Sequence, residues 1–157
     1  MPQPGVQSRM SPEWARDWVA RFLAADNSHV LERLLSLVTD DVTYVHARLP
    51  GGVAQGKAAV SEFLVGLWTA FPDIAFEAAG EPFVSVDGAR VAVQWKGTGT
   101  FTGPYVGLEP TGRPFAVTGI DVFEFEGDLA RRVETVTDTI SLVRQIGAVP
   151  ASASSGQ

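Results

Sequence analysis

Residues 113–126, RPFAVTGIDVFEFE, alternate with the two-residue period of a β-strand, and a strand of that length must run across a sheet. One face carries Phe115, Val117, Gly119, Asp121, Phe123 and Phe125; the other carries Ala116, Thr118, Ile120, Val122, Glu124 and Glu126. The face with three Phe and one Val should turn inward and be covered by another layer. Asp121 interrupts it. An ionised carboxylate on such a face is costly unless it is paired, hydrogen-bonded or protonated. Two readings follow from the pattern: an acid kept for proton chemistry, or a structural Asp bonded to backbone N–H groups or to an Arg such as Arg113.

The rest of the chain supplies the covering layer. Ser11, Pro12 and Glu13 are a helix start, with a Ser cap, Pro at the first helical position and an acid in the first turn. Trp14, Trp18, Val19, Phe22 and Leu23 then form one apolar stripe to about Ala25, and the two Trp read as core. Asp26, Asn27 and Ser28 should end this helix and cap a second, whose stripe is Val30, Leu31, Leu34, Leu35 and Val38. His29 reads as solvated surface. Thr39, Asp40 and Asp41 read as a turn before a short strand over residues 42–47, which Leu49, Pro50, Gly51 and Gly52 break. A third helix is expected over residues 57–70, stopped by Pro72. Strands follow at 74–86, 89–101, 113–126 and 129–137, with turns at Asp87-Gly88 and at Glu126-Gly127-Asp128. Asp138 or Thr139 should cap a last helical turn or two.

Helices first and a long meander after them indicate an α+β fold. The expected form is a cone-shaped, curved antiparallel β-sheet, an α+β barrel, with three N-terminal helices enclosing a pocket for a small molecule. The expected organisation is one domain over residues 11–149 between disordered segments at 1–10 and 150–157.

Composition removes several function classes. A net charge of −6 with scattered Lys and Arg offers no basic stripe for nucleic acid. Zero cysteines exclude disulfides and thiolate chemistry, and two His residues outside any ligand spacing leave no expected metal site. No apolar run reaches the length of a membrane span, so a cytoplasmic protein without membrane partners is expected. Ala92, Ala116, Ile120 and Val122 lie on outward strand faces, which points to a homodimer through the sheet.

Several motifs fall in one order: Asp40 to Tyr44, Gly56 to Val60, Phe71-Pro72-Asp73, Gly97 to Thr100, Pro110 to Arg113, Gly119 to Phe123, and Asp138 through Gly147. Together they resemble the SnoaL-like polyketide cyclases of the nuclear-transport-factor-2-like superfamily, over about residues 12–149. The resemblance implies a cofactor-independent cyclase of a polyketide-derived natural-product intermediate, with Asp121 as general acid/base in an aldol-type ring closure. It departs from the family where many members carry His, at Phe101, and near Thr135 on the last strand, which moves weight toward pericyclic closure by substrate folding. Limonene-epoxide-hydrolase-like relatives place a Tyr and an Asn where Tyr44 and His46 stand, on one strand face, yet Thr135 replaces their last-strand acid. Epoxide opening is therefore the lesser reading, and a non-catalytic ligand-binding or assembly module of the same fold is the alternative. The expected catalytic set is Asp121, His46 and Tyr44. The expected substrate contacts are Trp68, Phe71, Trp95, Phe101, Tyr105, Val117, Gly119 and Phe123.

Overall fold

A computed structural model describes residues 10–105 and 107–148. The segments expected to be disordered fall outside these residues, apart from Met10. Helix α1 (Pro12–Ser28) begins as the sequence reads: the Ser11 hydroxyl accepts the Trp14 N–H, and Pro12 holds the first helical position. It runs one turn further than its apolar stripe and closes at His29, which adopts a left-handed φ of 54°. Helix α2 is only Leu31–Leu35. The chain then enters strand β1 (Val38–His46), so Val38 is buried by a sheet and not by a helix. Thr39, Asp40 and Asp41, read as a turn, lie within β1, where the pairing register slips between Val38 and Thr43. A bulge satisfies the same polar signal that a turn would.

After a short 3₁₀ turn (Pro50–Gly52) come β2 (Val53–Gln55) and α3 (Gly56–Ala70). The expected strand 74–86 divides into β3 (Ala75–Ala78) and β4 (Phe83–Val84), both paired with β5 (Arg90–Thr100). Strands β6 (Pro114–Glu126) and β7 (Leu129–Thr137) follow. Helix α4 (Thr139–Gln145) is capped by Asp138, whose carboxylate accepts the Ser141 N–H.

The sheet order is β2-β1-β7-β6-β5-β3. The result is an α+β cone built on a curved, unclosed sheet with helices packed on it. One feature differs from the expected meander: β1 runs parallel to β7, so the sheet is mixed. Two strands separated by most of the chain need no hairpin, and the helical segment between β1 and β3 leaves the direction of β1 free. The alternation of β6 holds throughout. Phe115, Val117, Asp121 and Phe123 are buried, whereas Ala116 and Thr118 are exposed.

Trp18 is fully buried, stacks on Phe22, meets Phe123 and Phe125 edge-on, and donates its indole N–H to the Asp128 carbonyl at 2.9 Å. This aromatic cluster packs α1 onto β6. No helix among the described residues is long and apolar enough to cross a membrane.

Candidate functional site

The register of three strands sets a polar row across the concave face. Asp121 on β6 lies opposite Thr135 on β7, and Thr135 lies opposite His46 on β1. Tyr44, two residues before His46, shares its face and is likewise buried. Opposite the sheet, α1 brings Asp26 one turn beyond Phe22, and α3 brings Phe63, Leu64 and Leu67. These side chains, with Phe76, Trp95, Val133, Thr137 and Arg48, line a small and mostly apolar cavity of about 60 Å³. That space holds one or two water-sized groups; it is the inner end of a site and not a chamber for a whole polycyclic molecule.

Asp121 is held by one side chain. The Thr135 hydroxyl donates to its Oδ1 at 2.8 Å, and Arg113, a candidate partner from sequence, is exposed and does not reach it. Trp95 has room beside the carboxyl because position 119 is glycine: a Cβ there would overlap the Trp95 ring and come within 2.7 Å of the Val136 carbonyl oxygen. Burial pushes the Asp121 carboxyl up to about 6, only partly opposed by the Thr135 hydroxyl and the nearby Trp95 indole.

Asp26 is the acid that sequence reasoning missed. The sequence places it at the polar end of a helix, yet it continues the buried stripe Trp18–Phe22 at four-residue spacing, an acid on an apolar helix face as Asp121 is on an apolar strand face. Burial, reinforced by the Asp121 charge and partly opposed by the nearby Trp68 indole, pushes its carboxyl up to about 7, and its Oδ1 has no hydrogen-bond partner among the described residues. The Trp68 and Trp95 indole N–H groups are likewise buried and unpartnered. The Tyr44 hydroxyl is pushed well up by burial, then by Asp26 and Asp121, which places it within the field of both acids. The Asp121 charge disfavours ionisation of Asp26, so Asp121 loses its proton before Asp26 does.

His46 is the opposite case. Its Nδ1 accepts the Arg48 backbone N–H at 3.0 Å, and burial, then the Arg48 charge, holds it down to about 4, so the ring is neutral with its proton on Nε2.

The other expected contacts separate into three groups. Trp95 lines the cavity, and Tyr105 lines a wider apolar groove outside it. Trp68 stacks on His29 with its indole near Asp26, behind the residues that line the cavity; His29 Nε2 lies 2.9 Å from the Ile74 carbonyl oxygen, so His29 is half-buried and not a solvated surface group. Phe71 and Phe101 pack on each other, Phe71 also on Tyr105 and Phe115, beneath the loop after β5. Val117 is buried outside the cavity wall, Gly119 supports the Trp95 ring, and Phe123 belongs to the Trp18 cluster. An aromatic at helical or strand spacing announces burial, and its direction within the core is set by neighbours that sequence does not name. Among the described residues no three His, Asp or Glu side chains gather as a metal site would.

The raised acids make stability depend on pH. Both folded carboxyls lie above their ordinary value of 3.8, so from there to about 7 the folded state binds more protons than the unfolded one, and stability falls as pH rises. His46, held below 6.5, acts the other way between about 4 and 6.5. Two acids outweigh one imidazole, and above 6.5 only the acid contribution remains. The melting temperature should therefore fall as pH passes the Asp26 midpoint, and Asp26→Asn should flatten that fall. A wild-type melting temperature that climbs across this interval would contradict the electrostatics of the site.

The family model described as SnoaL-like polyketide cyclase matches residues 16–146. No curated protein matches the sequence. Among solved structures, IdmH from Streptomyces antibioticus is 24% identical, with a TM-score of 0.69 over 85% of this chain and 98% of that one. TsrD from Streptomyces laurentii is 22% identical, with a TM-score of 0.71 over 85% and 94%. A protein from Catenulispora acidiphila with a ketosteroid isomerase-like fold is 21% identical, with a TM-score of 0.70 over 86% and 95%. These likenesses show a shared fold.

Proposed function

We propose that this chain, which belongs to the SnoaL-like polyketide cyclases, closes a ring in a polyketide-derived intermediate without a cofactor, with Asp121 as the general acid/base. The observation that carries the reading is the Asp121 carboxyl: buried on an apolar wall, hydrogen-bonded by one hydroxyl, and raised to about 6. A base tuned toward neutrality is what abstraction of a proton next to a carbonyl requires. In an aldol-type closure Asp121 takes that proton, and the resulting enolate carbon attacks a second carbonyl of the same molecule to form the carbon–carbon bond. The new alkoxide then takes that proton back from Asp121, which returns to the carboxylate. In this reading Tyr44 and protonated Asp26 stabilise the developing oxygen charge.

A second reading is supported by the wall itself. Phe22, Phe63, Leu64, Leu67, Phe76, Trp95 and Val133 surround the acids, and such a surface suits a pericyclic closure in which the protein holds a reactive conformer.

Exchange of the methyl-ketone protons of β-acetylnaphthalene in deuterated water, followed by NMR, separates the two. With Asp121 as base the catalysed rate rises through about 6 and falls again as Asp26 loses its proton near 7. A catalysed rate without pH dependence in that range would sink the acid/base reading.

The protein acts as a homodimer in this proposal. Val136 is 57% exposed on the outer sheet face beside half-buried Ile120 and Val122, a surface suited to a second copy. Light scattering at micromolar concentration should give twice the chain mass; a monomer would refute the dimer.

A further inference from the structure

Arg48 is a half-buried cation with no anion paired to it among the described residues. It follows β1 at the rim of the cone, and its side chain lines both the inner cavity and the wider groove outside it. Among the described residues it forms no ion pair, and its Nε and Nη1 are shielded from solvent with no hydrogen-bond partner. Burial lowers the guanidinium, and among the described residues Tyr105 supports its charge, both through its field and as a side-chain hydrogen-bond partner, with its ring centroid 5.5 Å from the guanidinium carbon. Neither Asp26 nor Asp121 is stabilised by Arg48, so this cation is not their counterion.

The third guanidinium nitrogen is no better served. Nη2 lies 3.3 Å from His46 Nε2. His46 Nδ1 already accepts the Arg48 backbone N–H, so the proton of the neutral ring is on Nε2. Two donors therefore face each other. Arg48 Nε, Nη1 and Nη2 and the His46 Nε2–H converge on the rim beside the neutral Tyr105 hydroxyl, with no anionic acceptor among the described side chains. A half-buried charge in that condition is expensive unless a ligand completes it.

We propose that Arg48, with His46 Nε2–H and the Tyr105 hydroxyl, binds a carboxylate of the substrate at the mouth of the site. The substrate would then be a free polyketide acid, and the inference rests on the cyclase reading above. A planar two-oxygen anion matches a guanidinium and supplies the missing acceptors. The groove beside Arg48, about 570 Å³ and lined by Leu49, Pro50, Val53, Ala59, Phe63 and Tyr105, is large enough for the apolar body of such a molecule. Anchoring the acid at Arg48 leaves a carbonyl end free to reach inward to Asp121, which lines the same inner cavity.

Calorimetric titration with β-naphthoate, β-naphthamide and inorganic phosphate tests this. The wild type and Asp121→Asn should both bind the naphthoate about tenfold or more tightly than the neutral amide, as expected for a charge-assisted hydrogen bond. Arg48→Met should abolish the preference, and Arg48→Lys, which keeps the charge but not the planar donors, should retain part of it. Melting curves identify any variant that has not folded, and Arg48→Lys carries the test if Arg48→Met fails. Equal affinity for acid and amide, no binding of the naphthoate, a full preference in Arg48→Met, or phosphate binding as tightly as the naphthoate would each overturn the assignment. The outcome is separable from the catalytic reading, because Asp121→Asn tests that reading by proton exchange and leaves the Arg48 preference in place.

Discussion

Asp121→Asn is expected to slow proton exchange from β-acetylnaphthalene by about 10²–10⁴-fold, the contribution typical of a positioned general base. The substitution keeps the volume of the side chain, and the amide oxygen can still accept the Thr135 hydroxyl bond seen at 2.8 Å. Only basicity is lost. The same variant should be more stable than the wild type above the Asp26 midpoint of about 7, because it removes a charge from a site where burial disfavours it. A purely structural Asp121 predicts the reverse pair of results: exchange unchanged and melting temperature lowered. Pericyclic closure predicts a third, with stability raised and ring closure nearly unaffected. Turnover and thermal melting on one variant therefore distinguish all three.

Gly103→Ala should be the most destabilising of the small substitutions, by about 3 kcal/mol, at the upper end for overpacking. A Cβ at position 103 would overlap the Thr69 carbonyl oxygen and approach the Ala70 Cα at 3.3 Å. These are backbone atoms at the end of α3 and cannot rotate away. The Thr102 and Gly103 N–H groups both donate to the Ala70 carbonyl, at 3.1 and 3.0 Å, so the methyl would also loosen the fastening of the loop after β5 to α3. The melting temperature should drop by about 6–12 °C for a chain of this size. An unchanged melting curve would show that the loop can move away from α3 without loss, contrary to the packing described.

Much of the cone was legible because its signals are local. The alternation of residues 113–126 assigned every side chain of β6 to its correct face, and the Glu126-Gly127-Asp128 turn placed β7 after it. The caps at Ser11 and Asp138 could be read because a side-chain oxygen needs only an N–H three residues away. Errors came where one residue satisfies two patterns. Val38 fits the helical stripe after Leu34 and also the first buried position of a strand; only pairing with Ala130 on β7 decides between them. Parallel pairing of β1 with β7 has no local signature at all.

The candidate site divides along the same line. Asp121 stood out because a strand exposes its period over many residues, whereas Asp26 was concealed by the polar residues that follow it. Arg48 gave no signal, since a cation beyond a strand end is ordinarily solvated; its missing anion emerges only once Tyr105, Phe63 and His46 close around it. Trp68, Phe71 and Phe101 were recognisable as buried aromatics, but the side of the core that each serves depends on distant partners.

The account rests on Asp121 being a carboxyl whose proton affinity is raised by a dry wall. Carbon NMR of isotopically labelled aspartate, assigned by the disappearance of one resonance in Asp121→Asn, follows that carboxyl directly through a pH titration. A midpoint near 6, accompanied by a second step near 7 that vanishes in Asp26→Asn, is the predicted result. A midpoint at the ordinary value of about 3.8 would contradict it, because a carboxylate so weakly basic has no reason to be the base of this site.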